Sequence, residues 1–313
     1  MMNFMRGAML VFLTSFSCLF MAALVYSVRD TLQGGSMALD IPLFLNSLLW
    51  CSSLMFVSLL ISVSPLGDKI VVLFFTTRKQ SLREEQKINP AVECIKGLYR
   101  GKHGSDLDMT VCVMDQPDIH GMALGRQTVA VSTGLLKMAS EDELSGVLAH
   151  EAGHLHHKDS VLALALLVAG LPTLILNYLL RFVFFFGPKP SLIPSGPQDF
   201  GWVMRMFLFV MFFIFFAYFI VFWALSFPVL WLMRIFDMST QWHTEYRADK
   251  FALDTGYGSA LVALFERIED EDVRGATGFL SKYLYSHPPT ALRIDRLERA
   301  LAGNTQESAQ AIA

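Results

Sequence analysis

Four long apolar runs interrupt the polar positions along the chain, at about 7–28, 41–63, 160–181 and 206–232. A helix of about 20 mostly apolar residues crosses a bilayer, so each run predicts a transmembrane helix. Arg6 in front of the first run suits a signal peptide. That run exceeds a usual signal core, however, and no small-x-small cleavage site follows, so a retained anchor is expected. Between the runs the periodicity changes. Pro90–Tyr99 repeats with helical spacing, whereas Met109–Met114 and Thr128–Ser132 are Val-rich with period-two elements and predict strands. The stretch Lys69–Arg83 mixes apolar and basic residues and fits a segment lying along a membrane surface. Residues 236–302 read as helical with a break near Gly256–Ser259, and 303–313 as a small, polar, flexible tail. The expected organisation is two amino-terminal spans in 1–63, a polar part at 64–159, two further spans in 160–235, and a helical part at 236–302.

Composition agrees with that division. Charged residues are 17% of 313, below the roughly 25% of ordinary soluble domains. The balance of 25 Lys+Arg against 28 Asp+Glu gives −3, and the absence of a basic excess argues against nucleic acid as a partner. Four Cys without a C-x-x-C pair exclude a disulfide scaffold and a Cys-based zinc site. Orientation follows the basic residues near span ends. Lys69, Arg78, Lys79, Arg83 and Lys158 mark 64–159 as cytoplasmic, against a single Arg in the Arg29–Asp40 loop. Arg181, Lys189 and Arg205 flank the expected outer loop between the third and fourth spans and weaken the rule there.

The polar parts carry the chemistry. Ser140 and Glu143 form a capping-box pattern that predicts a helix start. On that helix His150 and His154 are four apart and project from one face. Two imidazoles so placed suit one zinc ion, and Glu151 between them suits a base taking a proton from the attacking water. A carboxylate often completes such a ligand set. The best candidate is Glu245 in Thr244-Glu-Tyr-Arg-Ala-Asp249, with Asp249 one turn later to orient a histidine ligand. Two spans separate His154 from Glu245, and an even number returns the chain to the same side of the membrane. His154 lies close before the third span and Glu245 close after the fourth, so the metal is expected within roughly 10–20 Å of the membrane surface.

These residues resemble the HtpX-type membrane zinc endopeptidases, relatives of the CAAX prenyl proteases. The resemblance rests on His150-Glu-Ala-Gly-His154, Glu245-Tyr-Arg-Ala-Asp249 and Val129-Ala-Val-Ser-Thr-Gly-Leu-Leu136, together with the order of spans and motifs. Ser286-His287-Pro-Pro-Thr-Ala-Leu-Arg293 is similar to that family's His-Pro…Arg element. His120-Gly-Met-Ala-Leu-Gly125 and Gln241-Trp242 depart from the usual pattern, and neither departure removes a ligand. The resemblance implies a mainly α membrane protein with four transmembrane helices and a zincin-like α+β metalloprotease domain holding a small sheet. It implies one Zn2+ per chain, peptide-bond cleavage at the cytoplasmic face of an inner membrane, and a role in quality control of membrane or misfolded proteins.

On that reading His287 is the candidate donor to the tetrahedral oxyanion, with Arg293 in support. Met122, Ala123 and Leu124 are candidates for pairing with an extended substrate backbone by strand addition. His103, His120, His156, His157 and His243 are read as outside the ligand set. Polypeptides and the lipid bilayer are the expected partners, and a homo-oligomer is compatible with the sequence. Two alternatives stay open: a narrow CAAX-type processing protease, and a non-catalytic membrane scaffold with a structural metal. Four spans speak against the first, and the presence of Glu151 against the second.

Overall fold

The computed structural model describes residues 2–33, 40–186, 200–272 and 288–312. The chain divides into two compact units. The first consists mainly of 3–55 and 167–236, and the second of 56–166 and 237–313.

The first unit is built from helices α1 (Met2–Leu32), α2 (Ile41–Ser62), α7 (Asp159–Phe186) and α8 (Phe200–Asp254), the last three of which also have residues in the second unit. Among the described residues, Arg6–Asp30, Ile41–Ser62 and Asp159–Leu179 are long and apolar enough to cross a membrane. The fourth apolar run, 206–232, lies inside the continuous helix α8. In lipid no hydrophobic drive pulls helices together, so small residues and buried hydroxyls mark the contacts. Ser17 Oγ of α1 donates to the Ala169 carbonyl of α7 at 2.6 Å and lies 3.4 Å from Thr173 Oγ1. Ala22 and Ala169 are fully buried nearby, while Val11, Trp50 and Leu54 stand exposed on the surface a bilayer would cover.

The second unit begins with α3 (Pro65–Phe74), capped by Ser64, whose side chain accepts from the Leu66 amide. It continues through β1 (Thr77–Arg78), α4 (Leu82–His103), β2 (Thr110–Met114), β3 (Gly121–Leu124), β4 (Thr128–Ser132), α5 (Thr133–Met138) and α6 (Glu141–His157), and is completed by the end of α8, α9 (Gly258–Asp272) and α10 (Thr290–Ile312). The helix expected at Pro90–Tyr99 is longer. Ser81 and Glu84 form a capping box that starts it at Leu82, leaving Pro90 inside. Likewise α10 runs on through 303–312, the stretch read from sequence as a tail.

The sheet has the order β1-β2-β4-β3. β2 and β4 are parallel, whereas β1 and β3 run antiparallel to their neighbours. β3 is therefore an edge, paired with β4 from Gly121↔Val131 to Leu124↔Thr128. Val113, Val129 and Val131 on one face join Ile88 and Ile95 of α4, Leu144 and Leu148 of α6, and Leu261 and Leu264 of α9 in a single core. Helix α6 runs through that core, with every residue from Glu143 to Gly153 buried. This explains the weak amphipathic pattern of its sequence: it has no solvent face along that length.

Candidate active site

The capping box fixes where α6 begins. Ser140 Oγ accepts from the Glu143 amide at 3.2 Å, and Glu143 Oε2 accepts from the Ser140 amide at 2.7 Å. Ten residues further on, His150 and His154 come to one face with their rings 4.8 Å apart. Gly153 explains how a third group reaches them. A Cβ there would lie 2.9 Å from Phe251 Cβ and 3.0 Å from Ala248 Cα, so the last turns of α8 pack directly on α6. That approach sets Glu245 against both imidazoles.

The resulting distances suit one cation. His150 Nε2 and His154 Nε2 are 3.2 Å apart. Glu245 Oε2 is 3.5 Å from the first and Oε1 is 3.6 Å from the second. Tetrahedral ligands at about 2.0–2.1 Å from zinc stand roughly 3.4 Å from one another. Among the described residues, His150, His154 and Glu245 form a group whose potential ligand atoms all lie within 4.8 Å of one another.

The surrounding charges orient these side chains. His150 Nδ1 lies 2.9 Å from Asp249 Oδ1, and His154 Nδ1 lies 3.3 Å from Asp159 Oδ2. A proton on each Nδ1 leaves both Nε2 lone pairs directed at the shared point. Arg293 of α10 is buried and grips Asp249 with two bonds, Nε to Oδ2 at 2.9 Å and Nη2 to Oδ1 at 2.5 Å. Its Nη1 is 3.1 Å from Glu245 Oε2. The 3.3 Å between Arg293 Nη2 and His150 Nδ1 reflects two donors sharing one carboxylate oxygen. Arg247 of α8 donates through Nη2 to Asp159 Oδ1 at 2.7 Å.

Burial alone would lower the pKa of both imidazoles. For His150 the bonds to Asp249 and Glu245 outweigh it, and the pKa is raised. For His154 the bonds to Asp159 and Glu245 push it up to about 10. Burial works against the Asp249 carboxylate too, yet the bonds from His150 and Arg293 hold it below its ordinary range. The pocket thus favours positive charge at the imidazoles, the electrostatic condition that a divalent cation needs.

Glu151 is buried and faces the edge strand. A Cβ on Gly121 of β3 would lie 3.3 Å from Glu151 Oε1 and 2.8 Å from Val147 Cγ1. Met122 and Ala123 are half-buried along that edge, whereas Leu124 is buried. His287 lies outside the described residues. His243 is exposed, and the His120 amide donates to Ser132 Oγ at 3.0 Å. Sequence reasoning passed over Asp159 and Arg247. Asp159 stands at the head of an apolar run and reads only as the start of a span; its place five residues after His154 was the available signal.

A second cluster of imidazoles sits just past the first. His156 Nδ1 is 3.0 Å from Tyr99 Oη. The His103 ring stacks on Tyr99 at 4.5 Å and lies 4.9 Å from His156, and His157 lies 4.8 Å from His156. Burial, then His103 and Arg247, lower the His156 pKa; burial, then Arg247 and His156, bring His157 down to about 4.

Comparison with known proteins places this geometry. Residues 103–301 match the model of peptidase family M48. Over 206 residues the chain is 30% identical to Protease HtpX of Idiomarina loihiensis, covering 60% of this chain and 65% of that one. It is 29% identical over 204 residues to Protease HtpX of Vibrio cholerae serotype O1, with 60% and 65% covered. The matched segment therefore spans about 65% of the length of these relatives. Among solved structures, S. mikatae Ste24p is similar at 21% identity with a TM-score of 0.49, covering 94% of this chain and 65% of that one. The family match takes in every described residue of the histidine–carboxylate cluster, and covers more than half of the sequence: this membrane protein belongs to peptidase family M48.

Proposed function

We propose that the protein is a membrane-anchored zinc endopeptidase that hydrolyses peptide bonds of membrane or misfolded proteins at the cytoplasmic face. The observation that carries this reading is the spacing of His150 Nε2, His154 Nε2 and the Glu245 carboxylate, 3.2 to 3.6 Å from one another, with Glu151 beside them. Family membership and the protease names of the relatives support the peptidase activity. The basic residues Lys69, Arg78, Lys79, Arg83 and Lys158 support a cytoplasmic site, with 64–159 and 236–302 as the cytoplasmic parts.

His150, His154 and Glu245 would hold the metal. Zinc, when bound there, supplies a Lewis acid that acidifies water and polarises a carbonyl. Glu151 accepts a proton from the attacking water and returns it to the leaving amine. Asp249 and Asp159 keep the two imidazoles in the Nδ1–H tautomer, and Arg293 aligns Glu245 with Asp249. The outer edge of β3, at Met122–Leu124, pairs with an extended substrate backbone, which gives sequence-tolerant binding. On its sequence motif His287 donates to the oxyanion.

The test compares purified protein with Glu151→Gln on casein, in detergent with zinc. A loss of about 10²–10⁴ in rate with unchanged metal content is expected. Equal cleavage by the two forms, or cleavage indifferent to a chelator, overturns the reading.

A further inference from the structure

Helix α3 presents two faces of opposite character. Its inner face is fastened to the sheet. Asp68 is 6% exposed, and its Oδ1 accepts from the Arg126 amide at 2.9 Å. Gly125, in the turn between β3 and β4, has φ +61, and a Cβ there would lie 2.1 Å from Asp68 Oδ1. Only glycine meets both the conformation and the space. From the other side Ser160 Oγ donates to the Gly125 carbonyl at 2.6 Å. Val71 packs on Met114, Leu124 and Ala130.

The outer face is apolar and uncovered among the described residues. Leu66 is 53% exposed, Ile70 40%, Leu73 79% and Phe74 82%. These positions recur at helical spacing and form one stripe. The stripe continues onto the last turns of α2, where Phe56, Val57 and Leu60 are also exposed, and onto Val63 just past its end. The corner between the helices is tight, since a Cβ on Gly67 would lie 2.5 Å from the Ile61 carbonyl oxygen. Contiguous exposed apolar surface of this kind marks an interaction face.

Two observations identify what covers it. First, the stripe is continuous with a helix long and apolar enough to cross a bilayer, Ile41–Ser62. Second, the exposed charges within 64–83 have one sign, the acidic Glu85 following after them. Lys69, Lys79 and Arg83 are exposed, whereas Asp68, the acid between Ser64 and Arg83, is turned inward and bonded. Apolar residues beside exposed basic ones fit an anionic headgroup layer. A soluble protein partner would not explain why the apolar surface carries over from a span.

We infer that Leu66, Ile70, Leu73 and Phe74 seat α3 in the headgroup region of the bilayer, and that Asp68 ties the β3–β4 turn to that seat. The lipid seat stands without the proposed peptidase activity. Its consequence for substrate rests on that activity: β3 takes extended chain at the membrane surface rather than from bulk solution.

The test uses the full chain in vesicles of phosphatidylcholine and phosphatidylglycerol, with the native Cys18, Cys51, Cys94 and Cys112 replaced by Ala. Spin labels are placed singly through Leu73→Cys and Phe74→Cys, with Leu60→Cys as the span reference and Lys102→Cys as the solvent reference. Expected at Leu73 and Phe74 is relaxation by oxygen several-fold stronger than by a water-soluble nickel chelate, approaching the Leu60 ratio. A ratio equal to that at Lys102 overturns the seat, and so does low accessibility to both reagents, which would mean that protein covers the stripe. For the tie, Leu73→Asp/Phe74→Asp is expected to speed amide exchange at Gly125 and Arg126 at least tenfold, with α6 unchanged. Unchanged exchange at the turn overturns the coupling. Neither readout depends on peptide cleavage.

Discussion

Helix α6 carries histidines into two clusters only a turn apart, and the two behave oppositely. His150 and His154 meet Glu245, Asp249 and Asp159, and their pKa values are raised. His156 and His157 meet Tyr99, His103, Phe251 and Arg247, and theirs are lowered. Burial disfavours the imidazolium in both places. What differs is the partner. In the first cluster carboxylates accept from Nδ1 and leave the Nε2 atoms convergent. In the second, aromatic rings and a guanidinium leave the imidazoles neutral, packed edge-on or tilted against their neighbours. A histidine-rich sequence therefore says little about metal; the carboxylates around it decide.

That contrast can be broken by removing acids from the first cluster. Glu245→Ala deletes the proposed carboxylate ligand and should cost more than the roughly 10–100-fold in metal affinity expected for loss of an outer partner. Chelator competition measures it, and unchanged affinity would reject Glu245. Asp249→Asn should fall within that range, because it removes the negative charge and one of the two acceptor oxygens that meet His150 Nδ1 and Arg293. Asp159→Asn should cost about tenfold, the lower end, since its 3.3 Å contact with His154 is longer. An Asp159→Asn protein with native affinity would reduce that residue to holding Arg247.

Changes in the second cluster should leave metal binding alone. Tyr99→Phe removes the hydroxyl that meets His156 Nδ1 at 3.0 Å. A stability loss of about 0.5–1.5 kcal/mol is expected, with unchanged metal affinity. A shift in affinity would show that the clusters communicate, and the contrast would have to be redrawn.

Much of this was legible beforehand, for identifiable reasons. The His-Glu-x-x-His spacing, the Ser140–Glu143 cap and the Val-rich strands are local, and local patterns survive in sequence. Glu245 was reachable because its motif repeats a helical turn and because an even number of expected spans would return it to the side of His154. Asp159, Arg247 and the inward turn of Asp68 were not reachable. Each depends on which face of a helix meets an element distant in sequence, as Gly153 meeting Ala248 shows. β1 and α5 were missed because two and six residues carry too little periodicity. The early start of α4 was missed because Pro90 suggests a first turn, whereas a capping box opening at Ser81, nine residues upstream, had already begun the helix.

The smallest expected effect tests the sign of the contrast. His157 has a folded pKa of about 4 against 6.5, through burial first, then Arg247 and His156. Between those values the unfolded chain binds a proton that the folded chain does not, so this contribution is complete above pH 6.5 and is lost as pH falls toward 4. For His154 the sign reverses. Its folded pKa of about 10 means a contribution complete below pH 6.5 and lost as pH rises toward 10 in metal-free protein. Metal-free protein should therefore lose stability on both sides of pH 6.5 through two residues three positions apart. His157 is half-exposed, and solvent screening keeps its share small. Denaturant midpoints of metal-free protein in detergent, measured from pH 4 to 10, should show the acid limb flattened in His157→Gln and the alkaline limb untouched. Flattening of the alkaline limb by that variant would mean that the two clusters titrate as one, and an unaltered acid limb would remove His157 from the account.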